Sequence, residues 1–376
     1  MKDYALDLLV KMLEIYSPSG QEEALSKFLL KRIKEFGIDV RKDDVGNVIA
    51  KIGQGEPRIF LCGHMDTVPG ELKVRMEGDK LYGRGVVDAK SSLAAMIMTL
   101  TILERDDLPG EITLAGVVDE ERESLGIKSL MKNGISADYA IFGEPSGVDN
   151  ITIGYKGSLH LKVTCETEGG HSSAPWLFDN AIEKAMELWD MIKNHHLPQE
   201  KLESRFYSST YCLMKICGGS SMSMTPSNCE FFVNVRIPPQ LTPEQVFESL
   251  QEAVDLYQTK NEGVRINMSP DGKAEPFETD KDSILVRSLS WAIRKTRKSR
   301  VTLLKKTGTA DINELSLKLK IPMIAYGPGN SHFDHTPNEH IIINDYLDSI
   351  QIYRAAIMRL FELYDMKKGV MNEKRP

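Results

Sequence analysis

Three short apolar runs, 58–62, 111–118 and 139–142, each lead into imidazole or carboxylate side chains, and this pattern most constrains the fold. Apolar runs of about 4–8 residues bounded by turn signals read as buried strands. Between the first two, Leu93, Met96, Ile97 and Leu100 recur at helical spacing within residues 90–103. Two amphipathic helical patterns, 4–15 and 22–36, come first, separated by the helix breaker Ser17-Pro18-Ser19-Gly20. Strands alternating with helices predict an α/β sheet, and such sheets build their sites at the strand C-termini. The motifs just beyond the three runs are Gly63-His64-Met65-Asp66, Asp119-Glu120-Glu121 and Gly143-Glu144-Pro145. Asp88 stands at the entrance of the 90–103 helix, and His335 opens His335-Thr336-Pro337-Asn338-Glu339.

Near residue 156 the pattern changes. Leu159, Leu161, Val163 and Cys165 alternate strictly with His160, Lys162, Thr164 and Glu166, as on a half-exposed antiparallel strand. A helix at 180–193 and strands at 210–217 and 229–237 follow. Thr242-Pro243-Glu244-Gln245 then opens a helix as a capping box with proline at its first position. A strand at 263–268 completes β-α-β-β-α-β, the ferredoxin-like arrangement. At 376 residues the chain exceeds the ~250–300 of a single core, which favours two domains. The expected division is 1–155 and 279–376 as a catalytic domain, with 156–278 inserted as a lid and dimerisation domain.

The net charge of −7 disfavours a general nucleic-acid binder. No apolar run approaches the ~20 residues that span a membrane, and the first residues lack the apolar core of a signal peptide. Five cysteines, an odd number with no Cys-x-x-Cys, read as those of a reduced cytoplasmic protein.

Two histidines and several carboxylates at strand ends suit a dinuclear zinc site, since a bridging carboxylate lets two dications sit ~3.5–4 Å apart. On extended backbone His64 and Asp66 share a face, so Asp66 is placed to fix the imidazole tautomer. Glu120 and Glu121 are neighbours whose side chains diverge on extended backbone. One is expected to bind metal and the other to act as general base. His171, in Gly169-Gly170-His171-Ser172-Ser173, is a glycine-flanked histidine able to donate to an oxyanion. Plainer readings go to His160 (solvent-exposed), His195-His196 (a helix end, where cations offset the dipole) and Cys62 (strand core). The run 294–300 carries five basic residues in seven, either as helix-end charge compensation or as a docking surface for an acidic partner.

Together these motifs resemble, over nearly the whole chain, the two-zinc aminoacylase and carboxypeptidase family. That family includes acetylornithine deacetylase, succinyl-diaminopimelate desuccinylase and glutamate carboxypeptidase. The resemblance implies a mixed-sheet, exopeptidase-type catalytic domain with an inserted ferredoxin-like lid. It implies one zinc on His64, Asp88 and Glu144 and another on Asp88, Glu121 and His335, with cobalt or manganese as alternatives. The Thr-Pro-Asn-Glu after His335 selects it over His332. Glu120 becomes the general base, Asp66 the partner of His64, and a cis peptide is expected after Asp88. Glutamate rather than aspartate at 144 matches the aminoacylase-type branch, whose substrates are N-acylated with a free carboxylate. His171 matches a lid histidine that often reaches the partner subunit's site, so a homodimer is expected. Asn228 and Arg236 are implied to hold the substrate carboxylate, which arginine suits through its bidentate fork. Gly308, Thr309 and Gly329 lie in loops that look like pocket lining.

Tyr155-Lys156-Gly157-Ser158, His171-Ser172-Ser173, residues 308–313 and residues 326–331 look most like lysine-biosynthesis deacylases. Those release lysine or ornithine from the C-terminal glutamyl group of a small acidic amino-group carrier protein, LysW. Phe333-Asp334 departs from that pattern. The rival readings are a small-molecule N-acyl amino acid deacylase, a two-metal phosphatase, and a metal-dependent binding protein with a dead site.

Overall fold

The computed structural model describes residues 2–373, which divide into two compact units. The larger comprises the residues up to Ile153, Thr279–Lys305 and those from Ala310 onward; the smaller comprises Gly154–Glu278 and Lys306–Thr309.

The larger unit is built on a mixed sheet. Arg58–His64 lies between Glu111–Val117 and Tyr139–Phe142 and runs parallel to both, and Met323–Ala325 adds a further parallel strand beyond Tyr139–Phe142. Val48–Gly53 and Asp39–Lys42 extend the other side antiparallel. All four residues of Tyr139–Phe142 are buried, as the unbroken apolar run requires of a strand covered on both faces. Lys90–Leu103 departs from the amphipathic pattern: nearly every residue is buried, Lys90, Ser91 and Ser92 included. It lies between the sheet and the long helix Ile343–Glu373, which also packs on Ile284–Arg297. The outcome is a core rich in Leu, Ile, Val, Met and Ala side chains, with Tyr326, Tyr346, Tyr353 and Phe361 among them.

In the smaller unit an antiparallel sheet runs Thr210–Gly218, Asn228–Ile237, Gly157–Glu166, Arg265–Ala274. Helices Ala181–Lys193 and Pro243–Lys260 pack against it, completing the ferredoxin-like arrangement. Leu159, Leu161, Val163 and Cys165 face its core, as the alternation predicts. The Thr242 hydroxyl accepts from Gln245 N at 3.2 Å while the Gln245 side chain accepts from Thr242 N at 2.9 Å, closing the capping box. The last strand begins at Arg265 and continues past a register shift between Pro270 and Lys273, further than the apolar pattern extends. Among the described residues no helix is long and apolar enough to cross a membrane.

Candidate metal centre

Asp88 is the centre of the larger unit's polar cluster. Its Oδ1 lies 3.2 Å from His64 Nε2, and its Oδ2 lies 3.3 Å from His335 Nε2. His335 Nε2 is also 2.9 Å from Glu121 Oε1, and ligand atoms of His64, Asp88 and Glu121 all lie within 4.8 Å of one another. One carboxylate thus turns its two oxygens to two imidazoles that come from opposite ends of the sequence. The peptide from Asp88 to Ala89 is cis, as the resemblance implied.

His64 is the last residue of its strand, not the first beyond it. Its Nδ1 lies 2.9 Å from the Asp66 backbone carbonyl, which can only accept, so Nδ1 carries the proton and Nε2 is left to face Asp88. The Asp66 carboxylate stands 3.5 Å from Nδ1. Its closer partners are the backbone N–H groups of Glu120 (3.1 Å) and Glu121 (3.0 Å) and the Ser19 hydroxyl (2.7 Å). Asp66 therefore fixes the Glu120-Glu121 turn more directly than it fixes the imidazole. That turn replaces the extended backbone expected of these two glutamates. Asp119 has φ 64°, its N–H donates to Glu22 Oε1 at 3.1 Å, and the chain turns sharply into Glu120.

Two positioning groups carry little signal in the sequence. Glu339, buried at 1% exposure, accepts from the backbone N–H of Val87 at 3.0 Å and of Asp88 at 3.3 Å through Oε1. Its Oε2 accepts from Arg84 Nη1 at 2.8 Å. The loop that carries His335 is thereby tied to the loop that carries Asp88. Lys90, equally buried, donates from Nζ to the carbonyls of Met12 (3.1 Å) and Ile15 (2.8 Å), and burial brings its ammonium down to about 7. The only signal for Glu339 was its place in the His335-Thr336-Pro337-Asn338-Glu339 run; for Lys90 it was a cation beginning an otherwise apolar helix.

The electrostatics follow from burial. Burial pushes the Glu120 carboxyl well above its ordinary range, and the charge of Glu144 adds to this. Burial opposes the charge on His64, yet hydrogen bonds to Asp66 and Asp88 carry it well up. Contacts with Asp88 and Glu121 raise His335 to about 10. Asp88 is held below the carboxylate range because its bonds to His335 and His64 outweigh its burial. Asp311, buried at the start of the helix Asp311–Lys318, is pushed up to about 7 by burial. Six carboxylates (Asp66, Asp88, Glu120, Glu121, Glu144 and Asp311) thus act on one region with two imidazoles, His64 and His335, to offset them. Such a set of imidazole nitrogens and carboxylate oxygens suits zinc, cobalt or manganese, and the opposed oxygens of Asp88 suit a pair of dications.

Glu144 is buried two residues past the strand Tyr139–Phe142. Gly329 packs on the Asp88 loop so closely that a Cβ there would meet Val87 O at 2.8 Å. His332 is exposed, and Cys62 is buried in the sheet core.

His171, Asn228, Arg236, Gly308 and Thr309 belong to the smaller unit. His171 is exposed and its Nδ1 lies 2.8 Å from Ser173 Oγ. Arg236 Nη1 donates to Thr309 Oγ1 at 3.3 Å, and Gly308 faces open space. Asn228 and Arg236 occupy opposite ends of the strand Asn228–Ile237. Eight residues of strand span about 26 Å at ~3.3 Å each, so within one chain the pair cannot grip a single carboxylate as the resemblance implied. His160 is exposed and bonded to Asn234 Nδ2 at 2.8 Å, and His195 meets Ser249 Oγ at 2.8 Å.

The chain is 39% identical to a Pyrococcus furiosus protein over 94% of this chain and 97% of that one. It is 32% identical to the LysW-lysine/LysW-ornithine hydrolase of Sulfurisphaera tokodaii, over 94% of this chain and 95% of that one. Among solved structures, the Bacillus cereus aminopeptidase PepT superposes with a TM-score of 0.81 at 19% identity, over 96% of this chain and 99% of that one, a likeness of fold. The profile of Peptidase family M20/M25/M40 matches residues 60–359, and the chain belongs to that family.

Proposed function

We propose that the protein is an amidohydrolase that releases lysine or ornithine from the C-terminal glutamyl group of the carrier protein LysW. The observation that carries the reaction class is the carboxylate of Asp88, with one oxygen toward His64 and the other toward His335. The near-full-length likeness to a relative named for LysW-linked lysine and ornithine supports the substrate class.

In this reading His64, Asp88 and Glu144 hold one cation, and Asp88, Glu121 and His335 hold the other, with zinc as the metal. Bound dications supply Lewis-acid polarisation of the carbonyl and acidification of water. The protein's own part is proton handling and placement. Glu120, which belongs to neither ligand set, accepts the proton of the attacking water on its carboxylate and passes it to the departing amine. Asp66 holds the backbone of both glutamates. His171 donates to the oxyanion, from its own chain or from a partner subunit. Arg236 anchors the free α-carboxylate beside Thr309, and Asn228 and Gly329 contribute to substrate binding. A cytoplasmic homodimer suits this biosynthetic role.

The test compares release of lysine from the carrier-linked substrate with hydrolysis of acetyl-lysine, acetyl-ornithine and succinyl-diaminopimelate. A kcat/KM higher for the carrier-linked substrate is expected. A preference for any of the small acyl amino acids defeats the reading.

A further inference from the structure

The basic run 294–300 is not one surface. Arg297 is absorbed into the larger unit, within 3.3 Å of Asp149, 3.0 Å of Asp345 and 2.6 Å of Asp348. Arg294 has a different setting. It lines an open groove of about 390 Å³ along the helix Ile284–Arg297, together with Lys281, Arg287 and Arg359.

The lining of this groove reverses the charge of the chain. The protein carries −7 overall, yet no carboxylate lines the groove among the described residues. Among those residues Lys281, Arg287 and Arg294 make no ion pair, whereas Arg359 meets Glu362 at 2.6 Å. Arg287, Trp291 and Arg294 are spaced i, i+4, i+7, so they form one stripe about 10 Å long on a single helix face. Trp291 is 36% exposed between the two arginines, with Leu303 exposed beside it, and the Lys295 ammonium lies 4.6 Å from its ring centroid. Arg294 stands in the last turn, where a cation offsets the helix dipole, but Arg287 stands in the first turn, where that account does not apply.

Cations around a half-exposed tryptophan are the composition of a protein-binding hot spot, where arginine and tryptophan are enriched. A single-stranded nucleic acid requires successive aromatic platforms, and this groove offers one. We propose that the groove docks an acidic polypeptide surface, with an apolar side chain seated against Trp291 and Leu303, and that its occupant is the carrier protein to which the substrate lysine is attached. The identity of the occupant rests on the hydrolase reading; the cationic groove does not.

The experiment uses the full chain and its Arg287→Glu/Arg294→Glu variant, with Arg287→Glu alone as a milder change. Two substrates share one scissile bond: carrier-linked lysine and a short glutamyl-lysine peptide. The double variant should lose roughly tenfold or more in kcat/KM on the carrier-linked substrate, through KM, and become less sensitive to added salt. Its kcat/KM on the peptide should stay within about twofold, because that substrate carries no docking surface. Unchanged carrier kinetics in both variants, or an equal loss on both substrates, overturns the docking surface while leaving the hydrolase reading intact. A wild-type enzyme that cleaves neither the carrier-linked substrate nor the peptide overturns the hydrolase reading and this occupant together. Retention of an oligothymidylate by the wild type but not the variant, with carrier kinetics unaltered, assigns the groove to nucleic acid and overturns the proposal.

Discussion

The carboxylate of Glu339 holds the backbone of Asp88 in place: Oε1 accepts the Asp88 N–H at 3.3 Å and the Val87 N–H at 3.0 Å. Since Glu339 lies four residues after His335, one buried side chain sets the distance between two proposed metal ligands. Replacing it with glutamine keeps one acceptor oxygen but removes the charge that pairs with Arg84 at 2.8 Å. Glu339→Gln is expected to weaken metal affinity by about 10–100-fold, the usual effect of losing a group that orients ligands. Titration of the chelator-stripped protein with zinc measures this. Unchanged affinity with reduced folding stability would show a purely structural role.

Glu120→Gln separates metal binding from proton transfer. The amide is close in shape to the carboxyl group but cannot accept a proton, and Glu120 belongs to neither ligand set. Turnover should fall by about 10²–10⁴-fold or more, the range associated with a positioned acid or base. The purified variant should retain its metal, as read by elemental analysis. Loss of the metal alongside activity would make Glu120 a ligand and return the base role to another carboxylate.

Much of this site was legible because strands and ligands obey local rules. The apolar runs at 58–62 and 139–142 had to be buried strands, and polar residues placed beyond them had to gather at one sheet edge. The Glu339–Arg84 pair was not legible, since it joins residues 255 apart through a fold that local periodicity does not encode. The turn at Asp119 was missed for another reason. Its positive φ is held by Glu22, from a different part of the chain, so nothing local in Asp119-Glu120-Glu121 announces it. The separation of Asn228 and Arg236 was readable in advance. Both fall on one strand, and counting eight residues of strand rise would have parted them.

Gly85 tests how tightly the Asp88 loop is built. Its φ is +83°, a conformation that side-chain-bearing residues rarely adopt, and a Cβ there would meet Thr67 Cγ2 at 2.7 Å and the Lys90 side chain at 3.2 Å. Gly85→Ala combines backbone strain with a contact against packed neighbours. A destabilisation of about 1–3 kcal/mol from the strain is expected, with the steric contact adding to it. Chemical denaturation of the metal-free protein measures the loss directly. Wild-type stability in this variant would mean that the loop relaxes freely, and metal affinity should then fall in its place.

The pairing of His335 with Asp88 and Glu121 has a pH signature in the metal-free protein. Those contacts raise the imidazole from an ordinary 6.5 to about 10, so the folded state binds a proton that the unfolded state has released. The stabilisation is therefore fully present below pH 6.5 and is lost as pH rises toward about 10. His335→Ala lacks it at every pH. The destabilisation caused by this substitution should be largest at about pH 6 and shrink steadily as pH approaches about 10. Urea midpoints of both proteins, measured with chelator present at several pH values, give the difference curve. A curve that is flat across this range, or that grows with pH, would show that His335 does not hold an extra proton between the two carboxylates. The ion-pair geometry at 2.9 and 3.3 Å would then contribute nothing to the fold without metal.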